Sequence, residues 1–404
     1  MSKRWMSLAP IAFAIVWGCV PLFPSFITLT SVQFPGVSVV PLGVGVVVLA
    51  LMLLLAVWVT LSLFFTRGER QPVARAIAVF LAFCMASALL GLNPRDGVIF
   101  VAILSLGGIW HYAQVRDAEL PFVLRATYWS FLSTGLISCL LAIAMIVTRI
   151  PAAQYTIGHG RATGTFVLPG ELAGYLIVLI ALAVGLVQTA HSRALRMLAW
   201  GTIGIGVVTM LLTFSRTGFV GLACGAAFYV VMRARERKQG VIAAVGIVVA
   251  MIALVLLFFN ERHNPSENYT RLAIWQAAIG AFQRFPLLGV GPFGFSHLYP
   301  YVKLPDGDET AFHAHSMYLT YLVEIGVVGL SAFFWVLVSF VRELRVRLAS
   351  ATPAAATLAL AIVAGLVGTL VQGLIDMVSV ITFGLLFPTL ALALVAARDG
   401  SGDA

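Results

Sequence analysis

From Gly240 to Phe259 the chain runs for twenty residues without one charged or hydrogen-bonding side chain. A helix of that length rises about 30 Å, the thickness of a bilayer's hydrocarbon core, where only a segment that satisfies its own backbone is stable. Comparable runs fall at 9–29, 39–63, 73–91, 96–113, 121–149, 168–188, 194–213, 217–232, 316–341, 354–376 and 378–397. They lack the short-period alternation that a membrane β-barrel needs. The expected fold is therefore an all-α integral membrane protein of about twelve transmembrane helices, a single polytopic membrane domain over 1–404. The fourth and eighth runs are short and leave room for tilted or broken helices.

Composition agrees, with 61% hydrophobic and 10% charged residues, where a soluble domain carries about a quarter charged. A net charge of +9 would suit nucleic acid, but the placement of the cations points elsewhere. With the N-terminus inside, 17 of the 25 Lys and Arg fall in inside links and tails, among them Arg193, Arg196, Arg233, Arg237 and Arg345. That asymmetry follows the positive-inside rule, so both termini are expected inside and no nucleic-acid partner is implied. Cys19, Cys84, Cys139 and Cys224 lie within apolar runs and suggest neither disulfides nor a zinc site. The first run follows Lys3 and Arg4 without a convincing small-residue cleavage site and reads as a retained span.

Residues 260–315 form the one long polar interruption, outside and between the ninth and tenth spans. Links between spans can be a few residues long, so a segment of this size is expected to meet a substrate. Within it, 268–285 reads as an interfacial helix that stops before Pro286, with Ile274, Ala278, Ala281 and Phe285 on its apolar face and Arg271 among its polar residues. Gly289-Val-Gly291-Pro-Phe-Gly294 has the letters of a dinucleotide fingerprint without the strand before it, so its glycines read as turn-makers. Asp306, Asp308 and Glu309 read as solvated loop carboxylates rather than a metal site.

Topology gives no reason for arginines outside, yet Arg161, Arg216 and Arg271 each sit at or near an expected membrane boundary there. An anionic ligand at the interface would supply the reason. Thr213-Phe-Ser215-Arg216-Thr-Gly218 joins two runs with almost no loop; it either brings backbone amides and Arg216 to an anion or anchors the turn in headgroups. Gly158-His-Gly160-Arg161-Ala-Thr-Gly164 either folds back to present Arg161 to a lipid-linked phosphate or is a flexible connector. His313 and His315 stand where the outside segment meets the next span. An imidazole there can take a proton from a hydroxyl or merely contact headgroups. Glu324 and Asp376, within or at the end of expected spans, are functional candidates because ionisable groups there are costly.

Several of these landmarks occur together in a known order. Ser215-Arg216-Thr-Gly218 between spans, Arg271 followed by Trp275, the Gly289-Val-Gly291 turn, and His315-Ser-Met-Tyr-Leu319 leading into Leu322-Val-Glu324-Ile-Gly326-Val-Val-Gly329 resemble the O-antigen ligase and polymerase family. The resemblance implies a GT-C-like glycosyltransferase of a bacterial inner membrane with a periplasmic active site. In the ligase branch a glycan moves from undecaprenyl diphosphate to a sugar hydroxyl of lipid A core. The implied partners are that lipid-linked donor, the lipid A core acceptor and membrane lipids, with no metal and no cofactor. Arg216, Arg271 and Arg161 would bind the diphosphate and His315 would be the general base, with His313, Ser215, Trp275 and Glu324 in secondary roles. The family reads His-Asn where this chain reads His315-Ser316, so the role of that Asn does not carry over, and His313 is a rival base. An O-antigen polymerase or protein O-oligosaccharyltransferase shares the donor chemistry. A transporter would need paired ionisable groups deep in several spans, and Glu324 and Asp376 are too few.

Overall fold

The computed structural model describes residues 71–116, 121–258, 266–304, 310–377 and 385–398, together with Gly18, 28–32 and 40–43. The first two expected spans fall almost wholly outside the described residues. Where they are described, β1 (Thr28–Val32) pairs antiparallel with β2 (Val40–Gly43), so the adjoining ends of those two runs are extended rather than helical. The β-branched Thr28, Thr30, Val32 and Val40 suit a pleated strand better than a helix end.

The remaining described elements are helices: α1 (Pro72–Leu90), α2 (Pro94–Arg116), α3 (Pro121–Thr148), α4 (Ala152–Ile157), α5 (Pro169–Thr189), α6 (Arg193–Thr213), α7 (Arg216–Arg233) and α8 (Arg237–Phe258). There follow α9 (Ser266–Arg284), α10 (Gly294–Val302), α11 (Met317–Glu324), α12 (Gly326–Ser350), α13 (Pro353–Gln372) and α14 (Leu386–Arg398). Proline opens α1, α2, α3, α5 and α13, where its fixed φ suits a helix start and its missing N–H costs no bond. The hydroxyls of Ser192, Ser215, Ser316 and Thr352 cap α6, α7, α11 and α13 by accepting from backbone N–H groups.

Eight described helices are long and apolar enough to cross a membrane, and the chain is a multi-pass membrane protein. The expected fourth run is not short: α2 spans 23 residues because Pro94 and Arg95 open it and 114–116 extend its end. The expected eighth is α7, 18 residues bracketed by Arg216 and Arg233 and not among those eight; of the expected twelfth, 378–384 lie outside the described residues and α14 is a shorter apolar helix. The expected single span at 316–341 is two helices, broken at Gly326. Gly326 has φ 68°, and a Cβ there would collide with the Leu287 carbonyl, so the chain turns where only glycine fits.

α13 lies at the centre, packed along α5 and α7. A Cβ on Gly221 would come within 2.6 Å of the Gly368 carbonyl oxygen, and one on Gly225 within 2.5 Å of that of Ala364. Such close backbone approach replaces the hydrophobic drive that lipid cannot supply between helices. α8 packs on α7 and turns Val241, Ile242, Val245, Val249 and Leu256 outward, a surface suited to lipid tails.

A second small core gathers at one end of the bundle from Ile274, Ala278, Ala281, Phe295, Tyr299, Ala314 and Val323. Phe285, expected on the apolar face of α9, is 41% exposed and lies one residue beyond the helix end. Hydrogen bonds tie the ends together. At this end Gln372 donates to the Gly170 carbonyl, and at the other Tyr229 reaches Gln188, Arg233 reaches Thr357 and Arg347 reaches the Leu394 carbonyl.

Candidate active site

The turn from α6 to α7 is built by its own sequence. Phe214 takes a left-handed conformation at φ 48°, and Ser215 Oγ then accepts the Gly218 amide at 3.2 Å, which starts α7. Arg216 is the first residue of that helix and is partly buried. Its charge therefore stands at a helix N-terminus, an arrangement that favours an anion opposite it. Thr217 Oγ1 lies 3.3 Å from Ser215 Oγ and donates to Asp376 Oδ2 at 3.5 Å.

The glycine-rich loop before α5 folds back rather than connecting loosely. Ala162, Thr163 and Phe166 are buried, Ser138 Oγ bonds Thr165 Oγ1 at 2.8 Å, and the Phe166 ring packs tilted against Tyr175 with centroids 5.3 Å apart. Arg161 Nε donates to the Thr213 carbonyl at 2.8 Å and its Nη2 to that of Phe214 at 3.4 Å. One edge of the guanidinium is thus committed to the C-terminal carbonyls of α6, where a cation is favoured.

Asp376 sits in the turn that follows α13, near two of the arginines. Both Arg271 and Arg161 lie close enough to act on its charge, and its Oδ1 accepts the Met377 amide at 2.9 Å. Gly170 at the start of α5 faces it so closely that a Cβ would collide with the carboxylate. Arg271, partly buried on the first turns of α9, also directs Nη1 to the Ile375 carbonyl at 3.5 Å.

The histidines join the same turn through the backbone. The Met317 amide, at the first residue of α11, donates to the carbonyls of Gly373 at 2.8 Å and Asp376 at 3.2 Å. His315 has φ 47°, uncommon for a residue with a side chain, and its amide donates to His313 Nδ1 at 3.1 Å. The two rings are 4.6 Å apart at 66°. Burial first, then His315 and Arg271, push the His313 imidazole down to about 3. Ser316 caps α11, its Oγ accepting the Leu319 amide at 3.4 Å.

Not every expected residue joins this group. Glu324 is 6% exposed, and its carboxylate takes the amides of Phe293 and Phe295, which opens α10. Its carbonyl also accepts Ser87 Oγ at 2.7 Å and the Gly291 amide at 2.9 Å. Glu324 therefore fastens the glycine turn to α11. Trp275 stands one turn along α9 from Arg271, with its indole N–H buried and lacking a partner among the described residues. Asp306, Asp308 and Glu309 lie outside the described residues. Among the described residues no three His, Cys, Asp or Glu side chains converge as metal ligands would.

Arg161, Ser215, Arg216, Arg271, His313 and His315 are thus brought to one end of the bundle. The sequence singled out Asp376 only as a charge near a span end and did not place it among the arginines; Thr217 and Gly170 carried no signal beyond their neighbours. No curated protein matches the chain. Residues 201–334, from α6 into α12, match the family model described as O-antigen ligase; the stretch contains Ser215, Arg216, Arg271, Trp275, His313, His315 and Glu324 and excludes Arg161 and Asp376. That stretch is similar to the O-antigen ligase domain shared by ligases, polymerases and protein O-oligosaccharyltransferases.

Proposed function

We propose that the chain is an inverting glycosyltransferase that moves an O-antigen glycan from undecaprenyl diphosphate to a sugar hydroxyl of lipid A core, at the periplasmic face of a bacterial inner membrane. The observation that carries this reading is a convergence. The α6–α7 turn with Arg216, Arg271 of α9, the His313–His315 loop and the Asp376 turn are joined by direct contacts at one end of a membrane-crossing bundle. Most of these residues fall in the stretch similar to O-antigen ligases.

In the proposed reaction the acceptor oxygen attacks the anomeric carbon while the bond from that carbon to the diphosphate breaks. The electron pair leaves on the phosphate oxygen, and the acceptor proton passes to His315. One displacement inverts the centre. Arg216 and Arg271 stabilise the departing charge by charge-assisted hydrogen bonds, which are about twice as strong as neutral ones. Asp376 acts as a positioning residue that sets Arg271 and Thr217, and Arg161 locks the turn that presents Arg216.

His313 is the weaker candidate for the base. Its Nδ1 already accepts the His315 amide, and with a value near 3 it has little affinity for a substrate proton at neutral pH. His315 is held by that same bond beside the Asp376 turn.

The test is purified protein in nanodiscs with lipid-linked glycan as donor, offered lipid A core, a second lipid-linked glycan or a protein acceptor in separate reactions. The expected result is glycosylated lipid A core without any membrane gradient. Product only on the second lipid-linked glycan would make the chain a polymerase, and product only on protein an O-oligosaccharyltransferase. Absence of transfer to all three would overturn the reading.

A further inference from the structure

Away from the candidate active site, between α5, α7 and α13, lies a crevice of about 150 Å³. Its walls are apolar, with Ile180 and Val184 from α5, Leu222 and Ala226 from α7, and Ala361 from α13. Val184, Leu222 and Ala226 are only partly buried, so the crevice opens sideways from the bundle. Toward the active-site end it is shut, because Gly221 meets Gly368 there and the Ile177 side chain packs on both.

The other end is polar. Tyr229 closes it, its hydroxyl donating to Gln188 Oε1 at 3.1 Å. One turn further along the same face of α7, Arg233 Nη1 donates to Thr357 Oγ1 at 2.6 Å, and Thr357 lies one turn before Ala361 on α13. Arg233 is exposed; Arg235 and Glu236 follow it in the link, and Arg237 and Lys238 open α8. An apolar slot thus ends at a cationic rim.

We propose that this crevice binds one acyl chain of an anionic phospholipid from the leaflet at the basic end, with the lipid phosphate on Arg233. Water has no polar partners inside such a slot, and the surrounding solvent is hydrocarbon. The slot ends in polar and cationic groups only on the Tyr229 side. The headgroup is therefore drawn from the leaflet at that end, where arginine is the side chain best suited to phosphate. A basic residue at a membrane surface is worth about 1 kcal/mol toward anionic lipid, or about five-fold in occupancy. The bound chain would brace the three helices whose far ends carry Gly170, Arg216 and the Asp376 turn. This inference does not depend on which glycan, if any, the chain transfers.

The experiment uses the full chain in nanodiscs containing phosphatidylglycerol with a diazirine in one acyl chain, or the same probe on phosphatidylcholine. After irradiation, labelled peptides are mapped by mass spectrometry. The expected result is labelling of 177–184 and 222–230 about five-fold higher from phosphatidylglycerol. Ala226→Phe, which fills the slot, should remove that labelling and leave labelling of the lipid-facing α8 intact. Ala181→Phe, on the α5 wall of the same crevice, serves the same purpose if Ala226→Phe does not fold. Arg233→Gln should lower the preference for phosphatidylglycerol about five-fold. Equal labelling by both lipids in the native chain, or labelling of these peptides that survives both filling variants, would overturn the proposal. So would displacement of the probe by undecaprenyl phosphate but not by unlabelled phosphatidylglycerol, which would give the slot to the donor.

Discussion

His313 and His315 carry the same side chain two positions apart, but the backbone between them engages a ring nitrogen of His313. The bond from the His315 amide to His313 Nδ1 requires that nitrogen to be unprotonated. In the proposed mechanism His315→Ala should lower the transfer rate about 10² to 10⁴-fold, the usual worth of a general base, whereas His313→Asn, whose side-chain oxygen can accept the same amide, should cost much less. Rates of glycan transfer under saturating donor check this, and a larger loss from His313→Asn would exchange the two roles. Burial of the same imidazole, beside His315 and Arg271, sets a pH dependence. The His313 value near 3 lies below its ordinary 6.5, so between those values the unfolded loop takes up a proton that the folded loop refuses. The loop is then fully stable above about 6.5 and loses stability as pH falls toward 3, by about 2 kcal/mol at pH 5. Amide exchange over 311–317, corrected for its intrinsic pH dependence, should show protection falling between pH 7 and pH 5 in the native chain and a flatter profile in His313→Asn. Unchanged protection in the native chain would mean that His313 is not held neutral by the fold.

At the scale of elements, short local signals decide where the site-bearing helices begin. Ser316 caps α11, and Asn is as good an N-cap as Ser. Ser316→Asn should therefore keep transfer activity, while Ser316→Ala should cost about 1 kcal/mol of cap energy and loosen His315, read as a lower thermal midpoint together with lower activity. Gly326 is a harder constraint. Gly326→Ala puts a Cβ against the Leu287 carbonyl at a positive φ, a strain of about 1–3 kcal/mol before the collision is counted. Gly204→Ala on α6, where nothing lies within 4 Å, is the matched control and should leave the thermal midpoint unchanged or raise it. These positions also explain what could be read beforehand. Apolar runs marked α1, α3, α5, α6, α8 and α13 to within a few residues because lipid imposes one length on all of them. The break at Gly326 was invisible because it depends on where the distant Leu287 passes, and hydropathy continues smoothly across it. Arg161, Arg216, Arg271 and the histidines stood out as polar groups against an apolar background. Asp376 among the arginines did not, because its placement requires the turns after α13 and before α5 to meet.

For the whole molecule, the distribution of charge separates two kinds of arginine. Arg233 and Arg237 lie at the end marked by the Tyr229–Gln188 contact, and Arg161, Arg216 and Arg271 at the end marked by Asp376. Removing one cation from either end changes net charge equally, so a purely global electrostatic effect would not distinguish them. If the diphosphate is bound as proposed, Arg216→Ala and Arg271→Ala should each reduce transfer by about 10²-fold, the equivalent of 2–3 kcal/mol for a charge-assisted hydrogen bond, while Arg237→Ala stays near the native rate. Asp376 adds a sharper condition. If it serves by setting Arg271, then Asp376→Asn should cost activity in the native background and little more once Arg271 is already alanine, because residues that act as a unit are not additive. The four rates of that cycle, measured in the same nanodiscs, decide it. Fully additive losses would mean that Asp376 contributes on its own, through Thr217 or through the substrate, and would remove the link between the carboxylate and the Arg271 clamp.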